Sequence, residues 1–145
     1  MATFKQISDA IITQIAAATG FNTTRVGIFK GSVIDFLDGA ETPNLPFCGV
    51  TLISADYGEY LSDNAGCRED LTFRLTVIAE DFRGQGYSTE DNYTLLEAIR
   101  GTLLGDSLSL AGVNPLRIER IAEEADIADH GVTVYNMDIS TFQAR

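Results

Sequence analysis

Residues 71–79 read Leu71-Thr72-Phe73-Arg74-Leu75-Thr76-Val77-Ile78-Ala79 and carry the clearest β-strand pattern in the chain. The odd-numbered residues are all apolar, and three of the four even-numbered residues are threonine or arginine. Because successive side chains of a strand point to opposite faces of its sheet, this alternation predicts a strand with one buried face and one wetter face. The rest of the chain must supply the elements that cover the buried face.

Two amphipathic helices are predicted, one before and one after this strand in the chain. The first spans Phe4–Ala18 and ends before Gly20. Its apolar stripe at helical spacing consists of Phe4, Ile7, Ile11, Ile12 and Ile15. The second begins at Ser88, whose hydroxyl is expected to cap the amide of Asp91, and ends at Gly105. Its apolar stripe consists of Tyr93, Leu96, Ile99 and Leu103.

Further strands are predicted at Val26–Phe29, Phe47–Ala55, Leu116–Ile121 and Val132–Phe142. The strand at 47–55 is expected to be buried, with Val50, Leu52 and Ile53 inside one apolar run, and the last two strands are expected to pair. Residues 32–37 form either a helical turn or another short strand. The order of helix, strands, helix and strands favours an α+β fold, an antiparallel or mixed β-sheet with two main helices packed on one face.

The segment Asp56–Asp70 is polar and strongly acidic, and it is predicted to be a long loop. Large, partly apolar side chains in an exposed loop commonly mark a protein contact, and a similar tip lies between the alternating strand and the second helix. The alternative is a loop that folds back on its own domain. The residues of the predicted interface are Asp56, Tyr57, Glu59, Tyr60, Leu61, Phe82, Arg83 and Tyr87.

Length and charge limit the possible functions. The chain has 145 residues, which fits a single domain over 1–145. Ten basic residues against twenty-one acidic ones give a net charge of −11, so nucleic-acid phosphates should repel the chain. A protein past which DNA slides without sticking is compatible with this charge. No apolar run approaches the ~20 residues that span a bilayer, and the N-terminus lacks a signal-peptide pattern, which predicts a cytoplasmic protein without a membrane partner.

No catalytic, cofactor or metal site is predicted. His130 stands alone at a turn, and too few ligands accompany Cys48 and Cys67 for a metal site, so the cysteines are expected to be free thiols in a reducing compartment. Gly84-Gln85-Gly86 precedes a helix but lacks the third glycine of a dinucleotide-binding turn. The acidic residues within 119–129 lack the spacing of a calcium loop and are expected to form a solvated face.

Six stretches along the chain form a succession of amphipathic helix, proline-led strand, alternating strand, second helix and two further strands. They are Ile7–Ile12, Pro46–Leu52, Phe73–Asp81, Tyr93–Gly105, Pro115–Leu116 and Val134–Tyr135. In this order they resemble the small tail-terminator, or tail-completion, proteins of Mu-like phages and prophages, over residues 4–142. Leu95–Gly105 is the most telling piece of the resemblance, and Asp56–Asp70 is matched least.

The resemblance implies a structural protein without enzymatic activity or cofactors. Members of this family form a ring, usually six-fold, that caps the tail tube, stops its growth and presents a surface to the head-side connector. The implied partners are other copies in a homo-hexameric ring, the tail tube protein and the head–tail connector proteins, while DNA passes through without specific binding. The implied location is the head-proximal end of the virion tail, after assembly in the cytoplasm of a bacterial host.

Two alternatives stay open. A head–tail connector or stopper subunit has a similar size and also forms rings. A small-molecule-binding domain or an enzyme of unrecognised type belongs to another class of protein. Because a ligand that binds the native state must stabilise it, a small molecule that raises the melting temperature would favour this last alternative.

Overall fold

The central strand of the sheet is Cys67–Glu80, which contains the alternating stretch 71–79. The computed structural model describes residues 2–17, 26–28, 46–60, 67–80, 85–105, 108, 110–124 and 132–144. Of residues 59, 60, 80, 85–92 and 132 it describes the backbone alone. In chain order the elements are α1 (Phe4–Ala16), β1 (Val26–Ile28), β2 (Phe47–Tyr60), β3 (Cys67–Glu80), α2 (Gln85–Leu103), β4 (Arg117–Glu123) and β5 (Val132–Ala144).

The strands form one sheet in the order β1-β2-β3-β5-β4. β1 pairs with β2 in parallel, and the other neighbouring pairs are antiparallel. The sheet is therefore mixed, and together with the two helices it confirms the predicted α+β fold. β4 and β5 pair with each other as predicted. The predicted segment 32–37 lies outside the described residues.

Both helices pack on the same face of the sheet, as predicted. The odd-numbered residues Leu71, Phe73, Leu75 and Val77 of β3 are buried on that face. The helix residues in the same core cluster are Ile7, Ile11 and Ile15 of α1 and Leu96, Ile99 and Leu103 of α2. Burying one side chain of this size stabilises a fold by roughly 1.5–3 kcal/mol. Packing against the alternating strand therefore holds both helices in place.

The acidic segment Asp56–Asp70 is not one long loop, because most of it extends the hairpin formed by β2 and β3. Asp56 is paired with Asp70 and Tyr60 with Cys67 across the two strands. Backbone pairing needs no apolar pattern, and polar side chains are tolerated where the face of a strand meets water. The loop prediction was wrong for this reason. The residues between Tyr60 and Cys67 lie outside the described part of the chain.

The start of the second helix also differs from the prediction. α2 begins at Gln85, so Ser88 lies inside the helix and does not cap it. A nucleated helix adds one hydrogen bond for each further residue, so polar residues upstream of the apolar stripe can join it. The end is as predicted: Leu103 is the last helical residue, and Gly105 has a φ of 76°, in the left-handed region that favours glycine.

A capping box starts the first helix. The Gln6 amide donates to Thr3 Oγ1 at 3.1 Å, and the Thr3 amide donates to Gln6 Oε1 at 2.8 Å. These bonds satisfy two amides that a helix start leaves without partners inside the helix. α1 ends at Ala16, and the predicted last residue, Ala18, lies outside the described residues.

A buried amide group ties the beginning of the chain to its last strand. Gln143 of β5 accepts a hydrogen bond from the Ala2 amide at 3.2 Å and donates to the Ala2 carbonyl at 2.9 Å. The same side chain donates to Glu69 Oε1 of β3 at 2.8 Å. Glu69 and Gln143 are both fully buried. One glutamine therefore positions the start of α1, β3 and β5 relative to each other.

Replacing this glutamine with an apolar residue should destabilise the fold. Gln143→Leu removes a partner from the buried Glu69 carboxyl group and from both backbone groups of Ala2. We expect the free energy of unfolding to fall by roughly 1–3 kcal/mol or more, the cost of unsatisfied buried polar groups, measured by urea denaturation. The matched control is Gln14→Leu, at a half-buried position on α1, which should change stability little. Equal effects of the two substitutions would contradict this role of Gln143.

Candidate interaction surface

The face of the sheet opposite the helices, here the helix-free face, carries polar side chains that are paired with each other. The Arg74 guanidinium binds Asp138 through two hydrogen bonds, of 2.8 and 3.3 Å. This hydrogen-bonded pair raises the pKa of Arg74 above its usual value. Thr76 donates to Asn136 at 3.2 Å, and Asn136 donates to Glu124 at 3.3 Å. The centre of this face is thus a ladder of satisfied polar groups across β3 and β5.

The same face is apolar at one end and charged at the other. Ile78 and Val134, paired across β3 and β5, are fully buried there, although the alternation predicted the wetter side for Ile78. At the opposite end Arg68 binds Asp70 at 2.8 Å and lies 3.8 Å from the centroid of the Phe142 ring. A cation over an aromatic face is favourable, so the Arg68 side chain is held against the sheet.

Two groups of exposed apolar side chains lie at opposite edges of the sheet. The β1–β2 edge patch consists of Ile28, Ile53 and Tyr57. The α2–β4 edge patch consists of Tyr93, Leu104 and Ile121. The members of each group are spread along their edge, since Ile28 pairs with Val50, seven residues or about 23 Å from Tyr57 along β2. Exposed apolar side chains in a row along an edge commonly mark contact surfaces. The two edges are therefore the parts of the described surface best suited to bind another protein.

The β1–β2 edge patch lies on the outer side of β2. β1 pairs with β2 at Cys48–Val50, and none of the described strands lies at the outer edge of β2 beyond Val50. Ile53 is 43% exposed and Tyr57 is 53% exposed. Ile53 was predicted to be buried. It lies where the register with β3 shifts between Leu52 and Ser54, and such an irregularity turns a side chain away from its regular face.

The α2–β4 edge patch combines one residue of α2, the residue that follows α2 and one residue of β4. Leu104 follows the end of α2 and is 60% exposed. The next amide, of Gly105, donates to the Leu116 carbonyl at 3.1 Å, just before β4 begins. Tyr93, in the middle of α2, acts electrostatically on Tyr135 of β5. Burial, followed by the Glu123 carboxylate and Tyr93, raises the pKa of Tyr135. Tyr135 is paired with Glu123 at the end of β4.

The described residues of the predicted interface lie on two elements, β2 and α2. Asp56 and Tyr57 are exposed on β2. Of the others, Glu59 and Tyr60 belong to β2 and Tyr87 to α2 by their backbone, and Leu61, Phe82 and Arg83 lie outside the described residues.

Comparison with known proteins shows a shared fold. No protein-family model and no curated protein matches the sequence. Among solved structures, the chain is similar to a chain from the virion of a native gene transfer agent (GTA) particle. The two share 17% sequence identity and superimpose with a TM-score of 0.61, over 96% of this chain and 95% of the other. The similarity thus concerns the whole fold and not one motif of it.

The two cysteines are too far apart to form a disulfide with each other and carry free thiols, as predicted. Cys48 is paired with Val77, ten residues beyond Cys67 on β3, a distance of about 33 Å. Burial raises the pKa of the Cys48 thiol to about 12, so it keeps its proton at neutral pH. The described residues contain no group of three or more His, Cys, Asp or Glu side chains that could hold a metal ion.

Two further sequence predictions concern possible sites around His130 and Gly84–Gly86 and segments that could span a membrane. His130 and the start of the Gly84–Gly86 turn lie outside the described residues. No helix within the described ranges is long and apolar enough to cross a membrane.

The buried thiol gives the fold a specific pH dependence. Between pH 9 and about 12 the unfolded chain loses the Cys48 proton while the folded chain keeps it. The contribution to stability is complete below pH 9 and is lost as the pH rises, by about 1.4 kcal/mol per pH unit. Cys48→Ala should therefore lose less stability than the wild type between about pH 8 and about pH 10.5 in urea denaturation. Parallel pH curves for the two proteins would contradict this.

Proposed function

We propose that this chain is a structural protein of a phage-like virion and acts by assembling with its neighbours. The observation that carries this proposal is the similarity of its entire fold to a chain of a gene transfer agent virion. A match that includes both helices and the mixed sheet is not explained by one common motif. Virion proteins work through extended surfaces, and the two exposed edge patches provide such surfaces.

Within the virion we propose the role of tail terminator. Such a protein caps the tail tube as a ring, ends tube polymerisation and forms the surface that joins the head. The support is the order of sequence features, which resembles the tail-terminator proteins of Mu-like phages, together with a single α+β domain of 145 residues. The partners in this role are further copies in a hexameric ring, the tail tube protein and the head–tail connector proteins.

The charges of the chain suit a ring through which DNA passes. The net charge is −11. The basic residues described on the helix-free face are four arginines, Arg68, Arg74, Arg117 and Arg120. Three of these four are within 4 Å of a carboxylate of the same chain. A guanidinium that is already paired offers little to a phosphate. DNA would therefore move past this protein without being held.

We also propose that the protein has no enzymatic activity. Several ionisable groups described on the sheet are engaged in ion pairs, as Arg74 and Asp138 are, and the Cys48 thiol is buried. General acid–base chemistry needs a group with a free proton site near a substrate, and nucleophilic chemistry needs an activated thiol or hydroxyl. The surface instead presents exposed tyrosine, leucine and isoleucine side chains at its edges.

Deletion of the gene from the genome that encodes it tests this function. A terminator stops tube growth, so electron micrographs of the lysate should show overlong tail tubes that are not joined to heads. The control is the same deletion complemented by the wild-type gene, which should restore joined particles with tails of normal length.

Two other outcomes have distinct meanings. Tails of normal length beside heads that leak DNA would contradict the terminator role and assign the chain to the head–tail connector. Intact infectious particles after deletion would contradict the structural role altogether.

A further inference from the structure

We infer that two copies of this chain bind edge to edge, with the β1–β2 edge patch of one copy against the α2–β4 edge patch of the next. This contact deepens the proposed ring and rests on that proposed function for its biological meaning. Its physical basis lies in the placement of exposed apolar groups, strand directions and two charges on the described surface.

The two patches lie on opposite edges of one sheet, and this placement favours one kind of contact between copies. A two-fold dimer joins a patch to its own copy, so it would cover one edge and leave the other exposed. A head-to-tail contact joins the two different edges and is repeated from copy to copy, so it covers both. Because each edge exposes apolar side chains, the head-to-tail arrangement removes more apolar surface from water.

The directions of the edge strands fit this arrangement. β2 is antiparallel to β3, β3 to β5, and β5 to β4, so β4 runs opposite to β2. When two copies stand side by side in the same orientation, β4 of one copy therefore runs antiparallel to β2 of its neighbour. Antiparallel edges form the more stable ladder, and β2 beyond Val50 presents an outer edge without a described strand.

One charge on each edge supports the pairing. Asp56 is exposed on β2 directly opposite Asp70, and like charges in that position repel each other. Asp70 is bound to Arg68, whereas Asp56 forms no ion pair with the described residues. A cationic side chain near this edge would therefore stabilise the Asp56 carboxylate.

Arg120 on β4 can supply that cation. It is exposed, lies on the same helix-free face as Asp56 and forms no ion pair with the described residues. Its cross-strand neighbour Asp138 is already bound to Arg74. Asp56 lies at the level of Asp70 and Arg120 at the level of Arg74, four residues or about 13 Å further along β3. In the edge-to-edge contact, neighbouring copies are therefore staggered by about this distance, which brings Asp56 of one copy beside Arg120 of the next on one face. Complementary charges of this kind fix orientation and register between partners.

A thiol cross-linking experiment tests the contact. The substitutions Asp56→Cys and Arg120→Cys are introduced together into the gene in the genome that encodes this protein. The lysate is treated with a short bis-maleimide before denaturing electrophoresis. The native Cys48 and Cys67 are buried and should stay unreactive. We expect a ladder of cross-linked species that extends beyond the dimer, because each copy has one cysteine on each edge.

Single variants separate the possible arrangements. Asp56→Cys alone and Arg120→Cys alone should give no cross-link, and Thr13→Cys with Arg120→Cys is a control with one cysteine on the exposed side of α1. A dimer from either single variant would show a two-fold contact and overturn the proposal. A double variant that stays monomeric in lysates with particles of normal form would overturn it as well.

The outcome is independent of the deletion experiment. A ladder in cells whose deletion strain still makes intact particles would support the contact and remove the terminator role. The absence of a ladder in cells whose deletion strain makes overlong tails would keep the terminator role and remove this contact.

Discussion

The rest of the structure depends on the two-sided character of the central strand. On one side β3 presents Leu71, Phe73 and the other odd-numbered apolar residues, which must be shielded from water. On the other side it presents Arg74 and Thr76, which must keep hydrogen-bond partners. Both helices consequently lie on one face, and β5 supplies Asp138 and Asn136 on the other. The strand also has a partner on each side, so neither of its edges is free.

The residues predicted correctly are those whose surroundings follow from local periodicity. The apolar side chains of 71–77 and most of those of the two helix stripes are buried because their spacing matches the geometry of a strand or a helix. The fold class and the common face of both helices could be predicted from this pattern alone. The stripes failed at Phe4 and Tyr93, which are exposed, and Ile12 is only half-buried.

The remaining features depend on contacts between distant parts of the chain, which a periodic pattern does not contain. The polar residues Asp56 and Asp70 face each other because the hairpin continues beyond the core. Gln143 is buried because Ala2, at the other end of the chain, supplies both of its backbone partners. Of the six edge-patch residues, Tyr57 was predicted to lie at an interface, and the other five were missed for the same reason. Ile53 and Ile121 are ordinary strand residues in the sequence, and only the strand order shows that they lie at edges.

The proposed function follows from what the surface offers. The described charges on the helix-free face are largely paired within the chain, and most of the exposed apolar side chains lie along two edges. Such a surface favours repeated contact with identical neighbours over the capture of a charged ligand. The excess of acidic residues also suits a ring around DNA, because contacts between basic residues and phosphates would slow the passage of DNA through the ring.

A reconstruction of the head–tail junction of the particles by electron cryomicroscopy tests the central claim most directly. The account predicts a ring of copies of this fold at the head-proximal end of the tail, in which the β2 edge of each copy contacts the β4 edge of the next. A junction without this fold, or a ring whose copies meet through their helix-free faces, would contradict it.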